Sequence, residues 1–259
     1  LDTPISEEAF VGAGIGAAMI GERPVVEIMT LNFLLVAMDQ VINHAAKVGA
    51  MFGGEVRVPM VIRTPNGAGN QLTAQHSQSF DGWFAGTPGL KVLAPSNPSD
   101  ARSLLRAAIR DDDPILFIEN LPLYKEKGEV DTDEASISVI GRAAVVREGA
   151  DLTIVSHSFA TVRALEAAAI LETEHGYSVE VVDLRSLRPL DVETVAASVS
   201  KTSRALCVEE GWPSYGVTAE LTARIQSACF DDLDAPVDRV GMAEVPLPYS
   251  KPLELAAMP

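Results

Sequence analysis

His76, in the string Gln75-His76-Ser77-Gln78, is the side chain of this 259-residue sequence best suited to moving protons near neutral pH. It follows an apolar run ending at Thr64 and a long Gly- and Asn-rich segment, Arg63 to Asn70. Long loops beyond the carboxyl ends of parallel strands are where open α/β sheets bind ligands. His76 suits a catalytic and a structural role equally on these grounds, whereas His44 within a helix, His157 at a strand end and His175 beside a helix cap read as structural or solvated. Glu7 is the second candidate. If Ser6 caps a helix, Glu7 sits in its first turn, where a carboxylate either complements the positive helix end in water or points into a cleft. Glu8 is available for the former task.

Other motifs point away from chemistry. Gly12 to Ala17 (GAGIGA) satisfies the dinucleotide string G-x-G-x-x-G/A, which acquires its meaning only when a strand feeds it. Here Thr3 to Glu8 reads as a loop and a helix start, so the small residues are expected on a closely packed helix rather than around a pyrophosphate. Asp111 to Asp113 lies between a helix end and Pro114 and reads as a turn of solvated charges rather than a cation site. The sequence contains no G-x-S-x-G elbow, no metal-ligand spacing, no G-x-x-x-x-G-K-[ST] loop and no Gly-Asp-Gly followed by Asn.

Short Val- and Ile-rich runs alternate with stretches of helical period, the pattern of an α/β protein with mostly parallel sheets. Strands are predicted at Val25–Thr30, Val58–Thr64, Leu90–Ala94 and Ile115–Glu119, with helices at Leu35–Met51 and Asp100–Arg110. The pattern breaks from Leu121 to Ser136, through Pro122, Gly128 and the acidic run Asp131 to Glu134, which reads as a linker. It then restarts: strands Leu152–Ser156, Val179–Leu184 and Ala205–Glu209 alternate with helices Val162–Glu174, Val192–Ser200 and Val217–Cys229. Asp191 is placed to cap one of these helices and Gly176 to end another. The division is therefore 1–120, a linker 121–136, and 137–259, with repeated architecture but no repeated sequence.

Composition bounds the function. Lys and Arg number 20 against 36 Asp and Glu, a net charge of −16 and a pI near 4.6, so a nucleic-acid backbone would be repelled. At 47% hydrophobic and mean hydropathy +0.16 the chain can build one large or two ordinary cores, yet no apolar stretch approaches the ~20 residues that span a bilayer. Cys207 and Cys229 are too few for a disulfide framework and sit in apolar settings, which suits a reducing, cytoplasmic compartment. The sequence begins at Leu1 rather than Met, and Leu1 to Glu8 lack the basic region and apolar run of a secretion signal, so any targeting segment is expected upstream of these residues.

Seven strings occur in order: Asp2 to Glu7 (DTPISE), Glu27 to Phe33 (EIMTLNF), Asp39 to Asn43 (DQVIN), Pro65 to Gly67 (PNG), Gln75 to Gln78 (QHSQ), Pro88 to Lys91 (PGLK) and Glu209 to Pro213 (EEGWP). In this order and spacing the chain resembles, over its whole length, the beta subunits of the thiamine-diphosphate-dependent 2-oxo acid dehydrogenases, and most of all their pyruvate-specific branch. The resemblance implies a pyrimidine-binding transketolase-like domain followed by a carboxy-terminal transketolase-like domain. It also implies an alpha subunit that holds most of the magnesium diphosphate end of a shared cofactor, in an assembly of two alpha with two beta.

Carried over by motif, Glu7 is expected to hydrogen-bond the aminopyrimidine nitrogen, Phe33 to pack on the ring face, and His76 to stand near the reacting centre. A carboxyl group so placed favours the imino tautomer, whose exocyclic nitrogen acts as an internal base toward the weakly acidic thiazolium. The implied reaction is oxidative decarboxylation of pyruvate, with acetyl transfer to the lipoyl group of a dihydrolipoyl acyltransferase. Branched-chain 2-oxo acids or acetoin are alternative substrates, and a non-catalytic subunit docking the acyltransferase core is an alternative of another class. Family members also carry several dozen residues ahead of the DTPISE string, including a strand and a further acidic motif, and a final helix beyond Pro248 to Pro252. A chain ending where this sequence does would expose an unpaired edge in the first sheet, so both ends are expected to continue in the whole protein.

Overall fold

A computed structural model describes residues 1–133 and 135–259; Glu134, part of the expected acidic linker run, lies outside the described residues. The chain opens with α1 (Glu7–Met19), β1 (Val25–Glu27), the short α2 (Val48–Met51) and β2 (Val61–Asn66). It continues with α3 (Asp81–Ala85), β3 (Lys91–Leu93), α4 (Pro98–Arg110) and β4 (Ile115–Asn120). Then come β5 (Ala144–Arg147), β6 (Leu152–Ser156), α5 (Phe159–His175), β7 (Val179–Asp183), β8 (Ser186–Arg188), α6 (Val192–Thr202), β9 (Ala205–Val208), α7 (Val217–Ala228), β10 (Asp238–Val240) and α8 (Lys251–Ala257).

Among the described residues there are two five-stranded sheets, ordered β1-β2-β4-β3-β8 and β10-β9-β6-β7-β5. Every pairing is parallel except those of β8 on β3 and β5 on β7. The central strands β2, β4, β6 and β7 are buried along nearly their whole length, which is why they read as continuous apolar runs rather than alternating ones. Strand β1 is an edge, with Val25 exposed.

The halves are stitched rather than merely tethered. Strand β8 leaves the second half of the chain to extend the first sheet, and one apolar core runs from Phe80, Phe84 and Leu90 through to Val182, Leu187 and Val195. The segment after β4 forms one short 3₁₀ turn at Pro122–Lys125 and then lies along α4, where Arg102 donates to the carbonyls of Thr132 and Asp133.

Several local expectations need correction. The single helix expected over Leu35–Met51 is broken into a 3₁₀ segment (Leu31–Ala37), a π segment (Gln40–Ala45) and α2, because its apolar residues face α1 and β2 from more than one side. Ser6 stands at the start of α1, but its side chain makes no capping bond; its carbonyl accepts from Ala9 and Phe10. Asp191 does cap α6 through Thr194, and Gly176 ends α5 in the left-handed region. In the GAGIGA string, Gly14 is held against Val26 and Met60, where a Cβ would fall 2.7 Å from a Val26 methyl, while Gly16 has open space. Close packing therefore explains part of that string and not all of it. Asp111 to Asp113 is not merely solvated: Asp111 and Asp113 pair with Lys91, and Asp112 with Arg23.

Candidate active site

The loop between β2 and α3 carries His76 and is pinned at both ends. At its base, the side-chain amide of Asn66 donates to both carboxylate oxygens of Asp81, at 3.0 and 3.2 Å, closing the loop across the end of β2 and the start of α3. Beyond His76, the backbone N–H of Gln78 donates to the Asn32 side chain at 3.4 Å, and Asn32 in turn donates to Thr30 at 2.9 Å. Asn32 precedes Phe33. The same small network thus fixes the two expected site residues relative to one another.

The rings of Phe33 and His76 meet edge to face, with centroids 5.1 Å apart and planes at 83°. Both residues are half-buried, and His76 Nδ1 is buried without a hydrogen-bond partner among the described residues. Glu7 is half-buried in the first turn of α1, a helix that packs on the Leu31–Ala37 segment bearing Phe33. Its carboxylate makes no hydrogen bond or ion pair among the described residues. The structure therefore brings Phe33 and His76 into contact and sets Glu7 on the neighbouring element. A cleft of about 830 Å³ opens beside the loop, lined by Gln75, Gln78, Trp83, Trp212 and Tyr215 among others; Glu7, Phe33 and His76 do not line it.

Behind the loop lies a buried polar cluster that sequence reasoning missed. Asn120, at the end of β4, donates to Asn66 and to Glu210; His157, just after β6, places Nε2 4.0 Å from the Asp81 carboxylate. His157 is thus a buried member of a network, not a solvated residue. Burial and the neighbouring Asp81 charge push Glu210 up to about 7, and burial pushes Asp183 up to about 6. Burial opposes charge on His157, yet the Asp81 carboxylate, with Glu209 and Asp183, outweighs it and raises its pKa. Asn66, Asn120, His157, Asp183 and Glu210 stand at or just beyond the carboxyl ends of parallel strands, and Asp81 opens α3. The available sequence signal was the position of Asn66, Asn120, His157 and Glu210 one or two residues after a predicted strand; Asp81 and Asp183 carried none.

Of the other histidines, His44 and His175 are exposed. Both cysteines are buried, and burial holds the Cys207 thiol up at about 12. Among the described residues, no three His, Cys, Asp or Glu side chains converge as metal ligands would, and no helix is long and apolar enough to cross a membrane.

Two domain families account for this arrangement: residues 1–127 match the transketolase pyrimidine-binding domain, and residues 141–259 match the transketolase C-terminal domain. The fold resembles that of a solved structure described as a split gene transketolase, inactive beta4 tetramer, with a TM-score of 0.78 and 22% identity over 99% of this chain and 78% of that one. Fold and domain pair together define a transketolase-type chain of a thiamine-diphosphate-dependent enzyme.

Full-length similarity narrows this further. The chain is 51% identical to the mitochondrial pyruvate dehydrogenase E1 component subunit beta-1 of Arabidopsis thaliana, covering 100% of this chain and 72% of that protein. It is 48% identical to the mitochondrial subunit beta of Homo sapiens, covering 100% and 73%. To the subunit beta of Rhizobium meliloti it is 46% identical, covering 100% and 56%. The chain belongs to the pyruvate dehydrogenase E1 component beta-subunit family.

Proposed function

We propose that this chain supplies the pyrimidine-side half of a thiamine diphosphate site for oxidative decarboxylation of pyruvate, the other half coming from an alpha subunit in a two-alpha, two-beta assembly. The observation that carries the reading is the edge-on pair of Phe33 and His76 beside the helix that begins at Glu7. A flat aromatic face, an unpaired carboxylate and an unpartnered imidazole nitrogen are what one side of an aminopyrimidine and its reacting neighbour require. The residues present therefore fit the group.

When bound, the cofactor supplies a carbanion and an electron sink for decarboxylation. This chain's residues do the rest on its side of the pocket. Glu7 donates to or accepts from the pyrimidine ring nitrogen, Phe33 offers an apolar face that orients the ring and excludes water, and His76 holds a proton or stabilises charge near the substrate or the incoming lipoyl sulfur. Magnesium is assigned mainly to the alpha subunit.

Mixing the chain with an alpha subunit and comparing pyruvate with branched-chain 2-oxo acids and acetoin tests the reading. Turnover of pyruvate by the mixture and by neither part alone is expected; equal turnover by the isolated chain contradicts it. A dihydrolipoyl acyltransferase is the proposed acceptor, and attraction of a basic segment of that partner to a chain of net charge −16 should weaken as salt rises. The buried free thiols support a reducing compartment, and we place the chain in the cytoplasm on that ground.

A further inference from the structure

We propose that Glu254, on α8, is a positioning residue that holds the His76 loop in its working shape; the inference rests on the site role of His76 given above. The Glu254 side chain is buried, and its carboxylate accepts from two backbone amides in the middle of that loop. Gly69 N–H donates to Oε1 at 3.0 Å, and Gln71 N–H reaches Oε1 at 3.2 Å and Oε2 at 3.1 Å. Gly69 and Gln71 both adopt positive φ, 89° and 55°, so their amides turn toward one point and form a concave nest for an anion. Here the anion is a side chain of the protein itself.

The surroundings make this a clamp rather than a stray contact. Met258 packs over Gly69, Ala68 is buried with Met242, Leu247 and Ala257, and Thr73 donates to the Leu247 carbonyl at 3.5 Å. Residues 67–80 contain no helix or strand, and a loop of that length samples many shapes unless tied. Asn66 and Asp81 tie its base and Asn32 ties it after His76; Glu254 is the tie before His76, where the left-handed residues make the backbone least able to hold itself. Small displacements of a reacting group are expensive in rate, so slackening this tie should be felt at the imidazole.

The test compares Glu254→Gln, Glu254→Asp, His76→Ala and the Glu254→Gln, His76→Ala double variant, using the full chain assembled with an alpha subunit. Amide hydrogen exchange over residues 67–76 and steady-state kinetics with pyruvate are the two readouts. Glu254→Gln is expected to speed loop exchange by about tenfold or more and to lower kcat by a similar factor at nearly constant KM, with exchange in β6 and β7 unchanged. Glu254→Asp should recover part of both, and in the His76→Ala background the Gln substitution should lower kcat no further. Unchanged loop exchange, a loosened loop with full kcat, or an additive loss in the double variant each overturns the proposal. If Glu254→Gln also opens β6 and β7, the Asp variant decides in the same way, full kcat with an opened loop being the refuting result. Full turnover by His76→Ala alone removes the functional reading itself; an inactive His76→Ala beside a fully active Glu254→Gln removes only the clamp.

Discussion

The rings of His76 and Phe33 meet nearly at right angles, 5.1 Å between centroids, and the two arrive there from a broken helix and a long loop tied together by Asn32. Loss of this contact is expected to be seen in catalysis more than in folding. Phe33→Ala and His76→Ala are each expected to cut turnover of the assembled enzyme by about tenfold or more, while a double-mutant cycle on stability returns about 0.5–1.5 kcal/mol for the ring pair. Thermal melts and kcat measured on the same four proteins check both statements.

The tie between Asn66 and Asp81 is buried and charge-assisted, so removing one partner leaves the other unsatisfied. Asn66→Ala is expected to cost about 1–3 kcal/mol in denaturant unfolding. Asn66→Asp should be worse, since it sets a second carboxylate against Asp81. Asn66→Ala as stable as the unaltered chain would show that the contact contributes little.

Glu210 and Asp183 both titrate above their ordinary values in the folded chain, at about 7 and about 6, and His157 is also raised. The native state therefore binds more protons than the unfolded chain across this range, and the stability these groups contribute is present at lower pH and lost as pH rises through their folded values. The melting temperature is expected to climb as pH is lowered from about 8 toward about 5, and Glu210→Gln, which mimics the protonated acid, should flatten that climb. Melting curves for the two proteins across the range decide it; parallel curves would mean that Glu210 is not titrating there.

Much of the fold was legible because buried parallel strands write themselves as unbroken apolar runs: β4 and β6 lie within a residue of their predicted bounds. What was not legible was short or set by tertiary contact. Strand β8 has only three residues and exists because β3 offers it an edge; α3 spans five residues and starts at an aspartate whose purpose, closing a loop on Asn66, no local pattern reveals. The helix over Leu35–Met51 showed helical spacing but not that its packing would break it into three kinds of turn. Of the site, His76 announced itself by residue type, whereas Phe33 emerged only from family resemblance and Glu254 not at all, since a carboxylate near a helix start ordinarily reads as a solvated charge.

The central role in the proposed site is that of the Glu7 carboxyl group acting on the aminopyrimidine of thiamine diphosphate. The direct measurement is the rate at which the C2 proton of the cofactor exchanges with deuterium when bound to the assembled enzyme, read by proton NMR after rapid quench, for the unaltered chain and for Glu7→Gln. A fall of about 10²–10⁴-fold with Glu7→Gln, at cofactor concentrations that saturate both proteins, is the predicted result. An exchange rate equal to that of the unaltered enzyme would contradict it.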